Sequence, residues 1–235
     1  MSTVAIIQAR MGASRLPGKV LTDLAGMPVL QWVVRAARAI PGVERVAVAS
    51  STEAGDDPIA AWCERERVAC HRGSEQDVLE RYALAARNEG AKVVLRITAD
   101  CPLLDPQVAG QVLTLLSRTG AQYASNVDPA SWPDGLDCEA LTAEALFTAA
   151  KEATRQPDRE HVTSFVRNRR RRFPSENLLC PLPGLASERW TLDTPEDLAF
   201  LRALAAHLPK DVAPSHLDVL RALDAHPELR KINAS

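Results

Sequence analysis

The sequence predicts an α/β fold, a mostly parallel mixed sheet flanked on both faces by helices. Three observations carry that expectation. Short apolar runs alternate with amphipathic stretches long enough for helices, the signature of βαβ units. The chain has 235 residues, the size of one α/β domain with an embellishment. Hydrophobic residues make up 46% and charged residues 25%, enough to bury a full core beneath a solvated surface.

Taken in order, TVAIIQA (3–9), RVAVAS (45–50), VACHR (68–72) and KVVLRIT (92–98) read as strands. Between them, PVLQWVVRAARAI at 28–40 and SEQDVLERYALAARNEG at 74–90 read as helices. AQYASN (121–126) is a further strand. The rhythm then breaks: DPASWPDGLDCEA is rich in turn formers, while TAEALFTAAKEATR and EHVTSFVRNRRRR read as helices. Residues 127–187 are therefore expected to form an insertion on a single 1–235 domain. RWTLD (189–193) returns as a strand, and the tail from 195 reads as helical.

Composition narrows the function classes. A net charge of −2 argues against a general nucleic-acid binder. No apolar run approaches the ~20 residues of a membrane span, and MSTVAIIQAR lacks a basic leader. Cys63, Cys70, Cys101, Cys138 and Cys180 contain no C-x-x-C pair. Reduced thiols in the cytoplasm are expected, rather than a disulfide framework or a structural zinc site.

The stretch QARMGASRLPGKVL (8–21) gathers Arg10, Arg15 and Lys19 on a loop of small residues after the first strand. Ligands of open α/β sheets bind at the carboxyl ends of strands, so these cations face the expected crevice. The loop is neither a Walker A motif nor a G-x-G-x-x-G. Its backbone N–H groups and cations nevertheless suit a polyphosphate. Two aspartates stand free of capping duty. Asp105 before Pro106 already caps a helix, leaving Asp100 uncommitted. Thr194 and Asp197 make a capping-box pair around Pro195, leaving Asp193 uncommitted. Two carboxylates from two strand ends suit Mg²⁺, which takes one or two carboxylates plus phosphate and water.

Six blocks in this order, QARMGASRLPGKVL, RGSEQDVLERY, RITADCPLLDP, YASN…PDGLDCEAL, REHVTSFV and RWTLDTPEDL, resemble the cytidylyltransferases. The nearest branch is the spore-coat polysaccharide type, a cousin of the CMP-KDO and CMP-sialic acid synthetases. The resemblance implies a Rossmann-like, GT-A-like nucleotidyltransferase fold. It implies Mg²⁺-dependent transfer of CMP from CTP to an acidic sugar or related acceptor, with release of pyrophosphate, in a homodimer. Arg10, Lys19, Asp100 and Asp193 become the expected catalytic residues, with Asp100 and Asp193 on the metal. Ala9, Gly12, Ser14, Arg15, Arg72, Gly73, Ser74 and Thr98 join Arg10 and Lys19 around the nucleotide. Asn126, Asp137, Glu139 and His161 are expected on the acceptor side. Ala99 stands where the family often has glycine, and Cys138 where it has an aliphatic residue.

Several residues keep a second reading. Ser74 could simply open a helix through the SEQD box, and His161 could be a packing or surface histidine. The run RNRRRRF (167–173) reads first as a solvated helix end. Trp132 could line a pocket or cover the core. Two other function classes compete. A glycosyltransferase of related fold would normally show D-x-D, which is absent; an inert nucleotide-binding module would not need both free aspartates and three cations.

Overall fold

A computed structural model describes residues 2–234. Among the described residues nine strands form in chain order: β1 (Thr3–Gln8), β2 (Asp23–Leu24), β3 (Met27–Pro28), β4 (Arg45–Ser51), β5 (Ala69–Gly73), β6 (Val93–Thr98), β7 (Tyr123–Ser125), β8 (Glu139–Thr142) and β9 (Ser175–Asn177). The helices are α1 (Val29–Arg38), α2 (Asp57–Arg65), α3 (Val78–Asn88), α4 (Pro106–Thr119), α5 (Ala143–Glu152), α6 (Gln156–Glu160), α7 (Ser164–Arg167), α8 (Pro195–Ala205) and α9 (His216–Ala225).

Seven strands make one sheet in the order β5-β4-β1-β6-β8-β7-β9, while β2 and β3 form a separate small hairpin. β1 pairs in parallel with β4 and β6, β4 with β5, and β7 with β9. Within that sheet, among the described residues, β8 alone runs antiparallel, to both β6 and β7. The central strands are apolar on both faces because helices cover both. Ala5, Ile7 and Val48 pack with α1, α2 and α4 on one side; Val4, Ile6 and Ala47 pack with α3 and α5 on the other. A third cluster centres on fully buried Trp190 and joins α8 and α9 to the β2–β3 hairpin. Among the described residues no helix is long and apolar enough to cross a membrane.

The local elements differ from the sequence reading in four places. α3 starts at Val78, not at residue 74: Asp77 Oδ1 accepts from the Glu80 N–H at 3.0 Å, and Ser74 Oγ accepts from the Asp77 N–H just before it. Residues 189–193 form no strand. A single bridge joins Arg189 to Asp134, and the Leu192 N–H donates to Asp100 O at 2.8 Å. The alternating pattern of RWTLD is real, but its partners are loops, so no ladder develops. β8 and β9, both within 127–187, belong to the main sheet. Finally, residues 160–172 are not one helix. His161–Thr163 form a turn in which buried Val162 adopts φ 46, an unusual place for a β-branched residue. Thr163 there donates its hydroxyl to Glu139 at 2.7 Å.

Trp132 covers the core. It is buried, donates Nε1–H to Leu178 O at 2.9 Å, and meets His216 edge-to-face.

Candidate active site

The carboxyl ends of β1 and β6 lie side by side, with Gln8 paired to Thr98. From Gln8 the chain enters a loop organised around one peptide. The Met11 carbonyl accepts from the Ala13 and Gly18 N–H groups at 2.9 Å each, and the Met11 N–H donates to Asp56 Oδ1 at 2.7 Å. Buried Asp56 also accepts from Ser51, which moors the loop to the end of β4. Gly18 has φ 72, a left-handed conformation that favours glycine, and launches a short 3-10 turn over Lys19–Leu21. That turn carries Lys19 inward.

Lys19 Nζ donates to Asp100 Oδ2 at 2.8 Å, to Asp193 Oδ1 at 2.7 Å and to Leu192 O at 2.7 Å. An ammonium has three N–H bonds, so its donors are fully used. Both aspartates are free for this contact because neighbours do the capping. Asp105 Oδ1 accepts from the Gln107 and Val108 N–H groups, and Thr194 with Asp197 form a reciprocal box at α8. Asp193 receives two further cations, Arg15 at 3.2 Å and Arg189 at 3.1 Å. Arg189 is itself held by Asp197 and Asp134.

Burial opposes the charge of Lys19, but Asp100 and Asp193 outweigh it and raise the ammonium above its ordinary range. Burial likewise opposes the charge of Asp193, and bonds from Lys19 and Arg189, with Arg15 nearby, hold its carboxyl below the usual range. Lys19 and Asp193 therefore both stay ionised at neutral pH. The result is a cavity of about 220 Å³ lined by Arg10, Ser14, Arg15, Lys19, Thr98, Asp100 and Asp193 together with Gln8 and Ala99. Seven residues expected from the sequence thus converge on one recess.

The two carboxylates fit a divalent cation. They already share one positive centre at 2.7–2.8 Å, and their oxygens are the hard donors that Mg²⁺ takes. Among the described residues no third His, Cys, Asp or Glu completes a metal cage, so the remaining ligands would be phosphate and water.

A family model described as cytidylyltransferase matches residues 4–207. The chain belongs to the cytidylyltransferase family. It is 31% identical over 95% of its length to the spore coat polysaccharide biosynthesis protein SpsF of Bacillus subtilis (strain 168), covering 94% of that protein. It superposes on a cytidylyltransferase from Leptospira borgpetersenii serovar Hardjo-bovis (strain JB197) with a TM-score of 0.93 at 25% identity, covering 100% of this chain and 98% of that one. A CMP:2-keto-3-deoxy-manno-octonic acid synthetase solved with CTP shares the fold at TM-score 0.67 and 18% identity, covering 88% and 99%. The cytidylyltransferase is a CTP-dependent nucleotidyltransferase, with the Rossmann-like fold of that class.

The other residues expected at the site of this cytidylyltransferase do not line the recess. Ala9 is buried, its N–H bonded to Ala49 O, while Gly12 is exposed on the loop. Arg72 turns away to the end of β4, donating to Ser51 O, Glu53 O and Asp57. Gly73 packs against Arg81: a Cβ there would stand 2.9 Å from the Arg81 Cγ. Asn126 bridges its own loop, donating to Leu136 O and accepting from the Cys138 N–H. Glu139 is buried and fully bonded to Arg96, Tyr123 and Thr163. His161 is exposed on the turn after α6. Asp137 is exposed beside acidic neighbours. Desolvation there, and then the charges of Asp134 and Glu139, push its carboxyl up to about 6.

Sequence reasoning passed over Gln8, Asp56, Arg81, Asp134 and Arg189. Arg189 was findable, since it stands four residues before Asp193 and eight before Asp197. Gly135 also escaped notice. Its φ is 114, and a Cβ would stand 2.7 Å from the Thr191 backbone N and the Trp190 carbonyl carbon. Only glycine lets the PDGLD loop lie this close to the segment that carries Asp193.

Proposed function

We propose that this enzyme transfers CMP from CTP to an acidic sugar or related acceptor, with Mg²⁺, in making a surface polysaccharide or glycoconjugate. One observation carries the reading. Lys19, Asp100 and Asp193, from three distant segments, meet beside a loop rich in cations at the carboxyl ends of β1 and β6.

Such a reaction needs positioning and charge neutralisation more than covalent catalysis. Arg10, Arg15 and Ser14 would bind the triphosphate from the loop, and Lys19 would offset its growing charge as pyrophosphate leaves. Asp100 and Asp193 would hold Mg²⁺, which would supply charge stabilisation at the α-phosphate. Arg189 would keep Asp193 ionised and correctly turned. Asp137, partly protonated near neutral pH, would meet the acceptor. The likeness to SpsF supports a sugar acceptor, and the five free thiols suit the cytoplasm. A homodimer completes the reading; exposed Leu179 and Leu182 beyond β9 give it an apolar surface.

The test is a matrix of CTP, UTP and GTP against nonulosonic acids, KDO-like acids, alditol phosphates and phosphonates, followed by pyrophosphate release. CTP with one acidic sugar should stand out and vanish with chelator. Release from another nucleotide alone, or equal release without acceptor, would overturn the proposal.

A further inference from the structure

Asp56 stands where a helix cap belongs but does not cap. It immediately precedes α2 and is of a residue type strongly preferred there, yet its side chain makes no capping bond. At 4% exposure it is also buried. Both carboxylate oxygens are committed elsewhere. Oδ2 accepts from the Ser51 N–H at 3.3 Å and from the Ser51 hydroxyl at the end of β4. Oδ1 accepts from the Met11 N–H at 2.7 Å. Buried Arg81 lies within electrostatic reach and offsets the charge.

The bond to Met11 has leverage over the whole loop. Among the described residues, the backbone of 10–17 makes a single hydrogen bond to any residue outside 8–22, and its acceptor is Asp56. Met11 is also the loop's pivot, because its carbonyl accepts from the Ala13 and Gly18 N–H groups. Arg10, Ala13, Ser14 and Arg15, which all line the cavity, sit on either side of that pivot. The Arg15 side chain does reach Asp193, but it is well exposed, and such pairs tether weakly.

We propose that Asp56 is a positioning residue for the phosphate-binding loop: through the Met11 N–H it fixes Arg10, Ser14 and Arg15, and so sets the affinity for a nucleoside triphosphate. This rests on the cytidylyltransferase reading above and adds to it a residue outside the cavity lining. A group that orders donors before the ligand arrives lowers the cost of binding and adds no contact of its own. Its loss should therefore fall hardest on the ligand with the most phosphates to hold.

The experiment measures the affinity of CTP and of CMP, each with Mg²⁺ and without acceptor, by calorimetry. The proteins are the parent, Asp56→Leu, Asp56→Asn and Ser51→Ala. Leucine and asparagine are both close to aspartate in size and both remove its charge, but only asparagine keeps an oxygen for the Met11 N–H. Asp56→Leu should weaken CTP by about 10- to 100-fold, the scale of misplaced binding groups. Its CMP affinity should stay within about threefold of the parent, as should the CTP affinity of Asp56→Asn. Ser51→Ala removes a donor to Oδ2 but spares the Met11 bond, so it should lower the melting temperature and keep the CTP-to-CMP ratio.

Should Asp56→Leu not fold, Asp56→Ser takes its place, since serine can cap α2 while its hydroxyl is too short for Met11. A leucine variant that keeps the parent's CTP affinity, or weakens CTP and CMP equally, would overturn the positioning role and leave the family reading intact. An asparagine variant as impaired as the leucine variant would overturn it too, because charge and not the Met11 bond would then be responsible. A parent that binds neither CTP nor CMP would instead sink the proposed function.

Discussion

Two carboxylate clusters sit a few residues apart in this fold and put the same chemistry to opposite uses. Around Glu139, Arg96 on β6 pairs with a buried carboxylate whose oxygens also accept from Tyr123 and Thr163. Burial disfavours the charge of Glu139, but Arg96 and those hydroxyls outweigh it and hold its carboxyl below the usual range. Around Lys19, Asp100 and Asp193 keep about a quarter of their side-chain surface exposed and open into the cavity. The first cluster is closed and complete, so its role is to bind the sheet to the 161–163 turn. The second is ordered but accessible, so a ligand can exchange with its bonds. Charge alone does not mark a site; access does.

The strongest way to break this contrast is through the open cluster. Asp100→Asn and Asp193→Asn should each lower turnover by about a thousandfold, while apo melting shifts by only a few degrees. The double variant should be scarcely worse, because the two proposed ligands of one ion would act as a unit. Additive losses that are indifferent to added Mg²⁺ would separate the two aspartates.

The closed cluster should answer in the other currency, stability. Glu139→Ala strands Arg96 without a partner and should reduce unfolding free energy by about 3–5 kcal/mol in urea titrations. Turnover per folded molecule should stay within a few-fold of the parent. A stable Glu139→Ala protein lacking activity would place Glu139 on the substrate side instead.

The smallest effect belongs to Asp137, which lies between the clusters. Its folded carboxyl, raised to about 6, binds its proton more tightly than in the unfolded chain. Its contribution to stability is therefore full at low pH and is lost as pH rises from about 4 to about 6. Asp137→Asn removes that loss, so its stability relative to the parent should grow across this window and then level off. Because Asp137 is an exposed residue, the gain should be about a few tenths of a kcal/mol. Paired urea midpoints at pH 4.5 and 7.5 measure it, and a pH-independent difference would refute the crowding.

Much of the open cluster was legible in the sequence, and little of the closed one. Asp100 and Asp193 stood out because caps are local: Asp105, Thr194 and Asp197 account for their helices within four residues. The central parallel strands were legible because burial on both faces leaves nearly continuous apolar runs. Strand β9, SEN, carries no such signal, and β8 was hidden because turn formers precede it. The burial of Lys19 was equally unreadable. A lysine on a glycine-rich loop reads as exposed, and only the Gly18 turn together with acceptors 81 to 174 residues away draws it inside. Partners at that distance leave no periodicity. The commitment of Asn126 and Glu139 to internal bonds was hidden because their partners stand 10 to 43 residues away, outside any local pattern.

The bond between Lys19 and Asp193 spans 174 residues, and this has a consequence for the protein as it is made. Ribosomes extend chains at 5–20 residues per second, so Lys19 emerges roughly 10–35 s before its second carboxylate exists. Until then its ammonium remains hydrated, and β1 and the loop can form around an incomplete centre. A nascent or prematurely terminated chain could assemble β1, β4, β5 and β6 and still lack one of the two acids. The centre formed by Lys19, Asp100 and Asp193 is therefore completed only late in biosynthesis.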